Sequence, residues 1–197
     1  MLKVTPKGTY VSGKVLYPPK LNRPYIFDEQ LQRSRPAEES ELAQASYEIK
    51  IIIEDEHAKK LEKEALRVFG EKYEKKKPKN MPVQYNDEAD QWVFKANIRG
   101  AYGLDVIEPI PVFDSGGAKV SSDLKIGVGS DVVVKAGMFA YSTGAVSGVT
   151  CRLRAVQIRH LVEADEDHGF DVLEGGFTMG DKSDATTSDD LDDDIPF

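Results

Sequence analysis

Cations and aromatic rings alternate along several short segments of this 197-residue chain. Lys135, Phe139 and Tyr141 fall on one side of an alternating run, and Arg152 and Arg154 on one side of the next. Lys95, Asn97 and Arg99 repeat the spacing in a third run, and Lys50 supplies a cation to a fourth. Residues two apart on an extended chain point the same way, so each set presents its polar groups to one side. Positive charge tracks a phosphate backbone, and an aromatic face accepts an unstacked base of any identity. Together these chemistries suit a single-stranded polyanion held without sequence readout. Stacking contributes about 1 to 3 kcal/mol per base, so two or three rings plus several phosphate contacts reach useful affinity. Tyr17 and Tyr102 are expected at the rim of the same groove.

The end of the chain carries the opposite charge. It closes on Asp192, Asp193, Asp194, Ile195, Pro196 and Phe197. Three carboxylates draw a basic surface from a distance, and Phe197 then offers a ring and the terminal carboxylate to a pocket with an apolar floor and a cationic rim. Pro196 restricts the backbone and lowers the ordering cost. The net charge of -8 divides unevenly, because Glu163 to Phe197 hold 13 acidic side chains against Lys182 alone, while residues 1–162 hold 25 basic and 21 acidic ones. A basic body with an acidic tail implies two partners of opposite charge. As a flexible coil, the 35 residues after Val162 have a typical span of about 30 to 35 Å. That reach lets Asp189 to Asp194 compete with nucleic acid for Lys95, Arg99, Arg152 and Arg154.

These side chains need strands beneath them. Gly8 to Tyr17 predicts a strand with Val11, Val15 and Tyr17 on one side. Residues 20–45 hold proline and charge with little periodicity and predict a long irregular connection. Tyr47, Ile49, Ile51 and Ile53 alternate with Glu48, Lys50 and Ile52, the pattern of a half-buried strand. A helix is predicted over about 56–76, with Asp55 as N-cap, Leu61, Ala65, Val68, Phe69 and Tyr73 as its apolar stripe, and Pro78 as its stop. Its terminal lysines, Lys72, Lys75, Lys76 and Lys77, suit the helix dipole and are expected as a solvated end, with contact to nucleic acid as the second reading. Trp92, Phe94, Ala96 and Ile98 alternate with Val93, Lys95, Asn97 and Arg99, and Trp92 and Phe94 are expected in the core. Phe139 fits either core or binding face. In the last strand, from about Gly148 to Leu161, the buried phase shifts between Leu153 and Val156, which predicts a bulge near Arg154 or Ala155. Long bent strands with glycines, flanking one main helix, suit a mainly β fold: a five-stranded OB-type barrel over residues 1–162, followed by a disordered acidic tail over 163–197.

Other functional classes find little support. His57, His160 and His168 are far apart, and neither a nucleophile elbow nor a phosphate-binding loop is present, so no enzyme, cofactor or metal site is expected. Asp192 to Asp194 lack the spaced ligands and turn glycine of a calcium loop. Cys151 has no partner for a disulfide and is expected in the core. The chain lacks an apolar run of membrane-spanning length and an apolar leader, which predicts a cytoplasmic protein.

The tail tip, Asp192 to Phe197, is identical to that of bacterial single-stranded DNA-binding proteins. The body resembles phage-encoded single-stranded DNA-binding proteins of OB fold. That likeness rests on Gly8-Thr9 with Tyr17-Pro18, the Tyr47 strand running into a long helix, Gly129-Ser130, Phe139-Ala140-Tyr141 and Leu153 to Gln157. It implies a non-enzymatic protein that coats single-stranded DNA in replication, recombination and repair, with a base-stacking ring at Tyr141. It also implies host or phage enzymes as partners of the tail, and a homodimer is compatible with it. A second reading is an adaptor whose tail mimics the host protein and titrates its partners. A third is an RNA-binding module, since discrimination depends on 2′-hydroxyl contacts that no spacing reveals.

Overall fold

The computed structural model describes residues 1–164 apart from Pro6, Lys75, Lys76, Ser122 and Asp123. The predicted tail therefore lies almost wholly outside the described residues. Alternation of apolar and polar residues is cleanest in β5 (Ser46–Ile53), where Tyr47, Ile49, Ile51 and Ile53 are buried and their neighbours are half-exposed. The same logic builds β2 (Gly8–Val15), β7 (Gln91–Arg99), β11 (Asp131–Thr143) and β12 (Val146–His160). Around the sheet the order is β2, β5, β7, β12, β11 and back to β2. All neighbours are antiparallel except β7 and β12, which meet in parallel at Asn97 and Arg152. This closed five-stranded barrel is the OB-type architecture expected from the sequence.

Shorter strands decorate it. β1 (Leu2–Thr5) pairs with β2. β3 (Lys20–Asp28) and β4 (Arg33–Pro36) form a hairpin that joins the outer edge of β5. β6 (Val83–Asn86) pairs with β7. β8 (Ala101–Tyr102) and β9 (Asp105–Val106) make a separate small hairpin, and β10 (Val112–Phe113) runs parallel to β12. The helix α1 (Asp55–Lys72) buries Ala58, Leu61, Ala65 and Phe69.

Three expectations are corrected. Residues 20–45 are not irregular, because the β3–β4 hairpin and a short 3₁₀ turn at Glu39–Glu41 occupy most of them. Polar contacts hold that hairpin, which is why hydrophobic periodicity missed it. Asp28 accepts hydrogen bonds from the backbone of Gln30 and Leu31 in the turn, and Arg35 bridges Asp28 at 2.9 Å and Glu41 at 2.7 Å. The first strand stops at Val15, so Val11 and Val15 are buried while Tyr17 is 56% exposed. The helix starts at Asp55 and ends at Lys72, with Glu54 at its N-cap. Asp55 is already inside the first turn, where its carboxylate accepts from Trp92 Nε1 at 2.9 Å and Lys59 Nζ at 2.6 Å.

The predicted bulge is present. Val134 pairs with Val156 and Lys135 with Ala155, but Ala136 pairs with Leu153, leaving Arg154 as the extra residue. Phe94 and Cys151 are core residues, as expected, and burial pushes the Cys151 thiol up to about 12. Val11, Val15, Ile49, Ile51, Phe94, Val132, Val134, Leu153 and Val156 fill the barrel interior.

Closure between β2 and β5 depends on Gly13. A Cβ at that position would lie 2.2 Å from the Ile52 carbonyl oxygen, which is backbone and cannot yield. Gly13→Ala is expected to destabilise the protein by about 1 to 3 kcal/mol or more, read as a lowered urea midpoint.

Candidate nucleic-acid interface

Side chains opposite each other on neighbouring strands share a face, so the outward residues fall into rows across the barrel. One row joins Gly137 to Arg152, Arg152 to Asn97, and Asn97 to Glu48. The next rows on either side pair Lys95 with Lys50 and Arg99 with Ser46. Gly137 is the hollow of this face, because a Cβ there would sit 3.0 Å from both Arg154 Nη2 and Phe139 Cε2. Its missing side chain lets the arginine and the ring lie close over the sheet.

The centre of the site is a ring, a cation and a ring. The Arg152 guanidinium carbon lies 4.2 Å from the Phe139 centroid and 5.3 Å from that of Tyr102. Phe139 is 36% exposed, which places it on the outer face of the barrel rather than in the core. Tyr141 stands further along β11, its hydroxyl accepting a hydrogen bond from Asn80 Nδ2 at 3.1 Å. Asn97, Arg99, Tyr102, Phe139, Tyr141 and Arg152 together line a groove of about 580 Å³. Arg99, Arg152 and Arg154 make no ion pair among the described residues; Arg154 instead donates to the Lys7 carbonyl at 3.3 Å.

The remaining predicted residues fall in separate places. Tyr17, Lys50 and Lys95 line a second groove of about 570 Å³, with Lys50 Nζ 5.7 Å from the Tyr17 centroid. Lys135 lies over Tyr10, 5.7 Å from its centroid, on the far side of Gly137. Lys50 and Lys95 are not open cations, because Glu48 accepts from Lys95 Nζ at 2.6 Å and lies 3.5 Å from Lys50 Nζ. Burial opposes ionisation of Glu48, yet the hydrogen bond from Lys95 and the charges of Lys95, Lys50 and Lys20 hold its carboxyl below the ordinary glutamate range.

Several residues at these grooves stand outside the set expected from the sequence. Lys72 reaches from the last turn of α1 to donate to the Ala140 carbonyl at 3.2 Å and lines the first groove. Asn80 and Tyr10 enter through contacts across the fold. Leu104, at the tip of the β8–β9 hairpin two residues beyond Tyr102, is 100% exposed. Gly103, with φ of 63°, was the one local signal for that turn. Among the described residues, no cluster of three His, Cys, Asp or Glu side chains is arranged to hold a metal, and no helix is long and apolar enough to cross a membrane.

The strand order, the closed seam and the cationic outer face define an OB-type barrel with an inserted hairpin and one helix. No family model and no curated protein sequence matches the chain. Among solved structures, the fold is similar to gp2.5, a single-stranded DNA-binding protein encoded by bacteriophage T7. That match has 19% identity and a TM-score of 0.58, covering 83% of this chain and 97% of the other. The single-stranded DNA-binding protein of bacteriophage Enc34 is similar at 15% identity and a TM-score of 0.57, covering 87% of this chain and 96% of that one. Its complex with single-stranded DNA aligns at 14% identity and a TM-score of 0.57, covering 83% and 90%. At these identities the likeness is one of fold.

The Glu48 environment makes a pH prediction. A carboxyl depressed in the folded state adds stability above the pH at which a free glutamate titrates, and that contribution is lost as pH falls through the depressed value. Glu48→Gln is therefore expected to be less stable than the wild type near neutral pH, with the gap closing on acidification. Urea midpoints of both proteins across that range check it.

Proposed function

We propose that the protein binds single-stranded DNA without reading its sequence. The phosphate backbone lies along Arg99, Arg152 and Arg154, with Lys50, Lys95 and Lys135 extending the basic track, while bases stack on Phe139, Tyr141 and Tyr102. The observation that carries this reading is the Arg152 guanidinium set between Phe139 and Tyr102 in an open groove. A guanidinium between two rings puts a phosphate-binding group and two stacking faces at one point, which is the chemistry a flexible single strand needs. The OB-type barrel is a frequent scaffold for oligonucleotides, and the fold likeness to phage proteins described as binding single-stranded DNA supports the same reading. Coating the strand would block reannealing and nuclease attack in replication, recombination and repair. The tail tip, Asp192 to Phe197, recruits replication and repair proteins of the host or the phage. Binding requires no chemistry on the strand.

Fluorescence anisotropy with labelled oligo-dT and matched duplex tests the reading. Tight binding to the single strand and weak binding to the duplex are expected. Phe139→Ala is expected to cost about 1 to 3 kcal/mol of binding free energy. Arg152→Ala is expected to weaken binding and to flatten the dependence of log affinity on log salt by about 0.7. Equal affinity for single strand and duplex would overturn the proposal and leave the adaptor reading in its place. Removing residues 189–197 is expected to raise affinity at low salt; unchanged affinity would exclude competition by the tail.

A further inference from the structure

The β3–β4 hairpin carries a second cluster of cations around a ring, outside the grooves already described. Lys20 Nζ lies 5.2 Å from the Tyr25 centroid, and the Arg23 guanidinium carbon lies 6.0 Å from it. Residues five apart on a regular strand are separated by roughly 17 Å. Here the pairing of β3 with β5 breaks between Lys20 and Tyr25, so that these two residues face Glu48 and Ser46, only two positions apart on β5. The irregularity folds the lysine back over the ring. Pro24 is buried within it and packs against Gly100, beside Arg99, which fixes the cluster to the end of β7.

The cluster is in register with the barrel face. Lys20 is opposite Glu48, Glu48 opposite Asn97, and Asn97 opposite Arg152, so one row of outward residues crosses β3, β5, β7 and β12. A second row runs from Tyr25 through Ser46 to Arg99. Three strand intervals put Lys20 about 14 Å from Arg152, a span of no more than about four nucleotides at the duplex rise. The charges of Glu48, Lys50 and Lys95 all act on Lys20, as expected of groups sharing one face. Arg23 is exposed and Tyr25 half-exposed, and an open groove of about 280 Å³ lies along Lys20, Arg23 and Tyr25.

We propose that single-stranded DNA leaving the barrel groove crosses β7 and β5 and enters a second subsite on this hairpin, where a base stacks on Tyr25 and phosphates meet Lys20 and Arg23. The proposal rests on the single-strand reading above and adds to it a path direction and three contact residues. Arginine and lysine around a half-exposed ring repeat the chemistry of the Arg152 site at a distance that one continuous strand bridges. A short oligonucleotide occupies the barrel groove alone, whereas a longer one reaches both.

The test uses the full chain with labelled oligo-dT of about 3 and about 20 nucleotides, one too short to span Arg152 and Lys20 and the other long enough to cover both. Tyr25→Ala is expected to weaken binding of the longer strand by about fivefold or more while leaving the shorter one unchanged. Tyr25→Phe, which keeps the ring, retains wild-type affinity for both. Arg23→Gln, at an exposed position, is expected to reduce the salt slope by about 0.7 for the longer strand only. Phe139→Ala serves as the reference and weakens both lengths. If Tyr25→Ala and Arg23→Gln leave both lengths unchanged while Phe139→Ala weakens them, the subsite is refuted and the single-strand reading stands. Equal weakening of both lengths by Tyr25→Ala also refutes a separate subsite. If Phe139→Ala changes neither length, it is the underlying reading that fails.

Discussion

Two narrow seams hold the barrel shut, and everything on its outer face depends on them. β2 meets β5 at Lys14–Ile52 and Val15–Ile51, and β7 meets β12 at Asn97–Arg152. A net backbone hydrogen bond contributes about 1 kcal/mol, so these few pairs cannot account for closure. Burial of one large aliphatic or aromatic side chain contributes about 1.5 to 3 kcal/mol, and Val11, Val15, Ile49, Ile51, Phe94, Val134 and Leu153 are almost completely buried behind the seams. The core therefore sets the register of the surface. Asn97 and Arg152 belong to the second seam, so the guanidinium between Phe139 and Tyr102 is held in place by packing on the opposite side of the sheet.

The face has two electrostatic grades. Arg99, Arg152 and Arg154 carry charge that no carboxylate offsets among the described residues, whereas Arg159, further along β12, pairs with Asp131 at 3.5 Å. Lysines at the β5 end share Glu48. A phosphate arriving at Arg99, Arg152 or Arg154 breaks no ion pair, whereas one arriving at Lys50 or Lys95 shares its cation with a carboxylate already in place. Exposed charges are screened beyond about 10 Å at moderate salt, so in the proposed complex long-range attraction would fade first and stacking contacts would persist. On that reading the rings would matter most where salt is high.

Much of the scaffold was legible because burial repeats with period two in β5, β7, β11 and β12. Ile49, Phe94, Val134 and Leu153 announce their faces without help from the fold. The break in phase between Leu153 and Val156 even located the bulge. The β3–β4 hairpin was not legible, since Asp28, Arg35 and Glu41 hold it through charge and turn geometry that leave no hydrophobic rhythm. The site was legible as a set of outward positions but not as an assembly. Alternation places Lys50, Lys95 and Arg152 outside, yet only strand pairing shows that Glu48 sits between the lysines and that Gly137 leaves room for Phe139. Asn80, Tyr10 and Lys72 reach the face from elements whose sequence says nothing about where they will land.

The bulge at Arg154 also limits how this chain can change over generations. β12 buries Cys151 and Leu153 before the extra residue and Val156 and Ile158 after it. Loss or gain of one residue there would turn one half of the strand inside out, exposing the core while burying arginines. Length can vary instead at the tight turns, such as Gly144-Ala145 between β11 and β12 or Gly103-Leu104 between β8 and β9, where no buried phase must be kept. Descendants of this barrel are thus free to drift in sequence along β12 but not in its residue count, and gaps in an alignment of them belong at the hairpin tips.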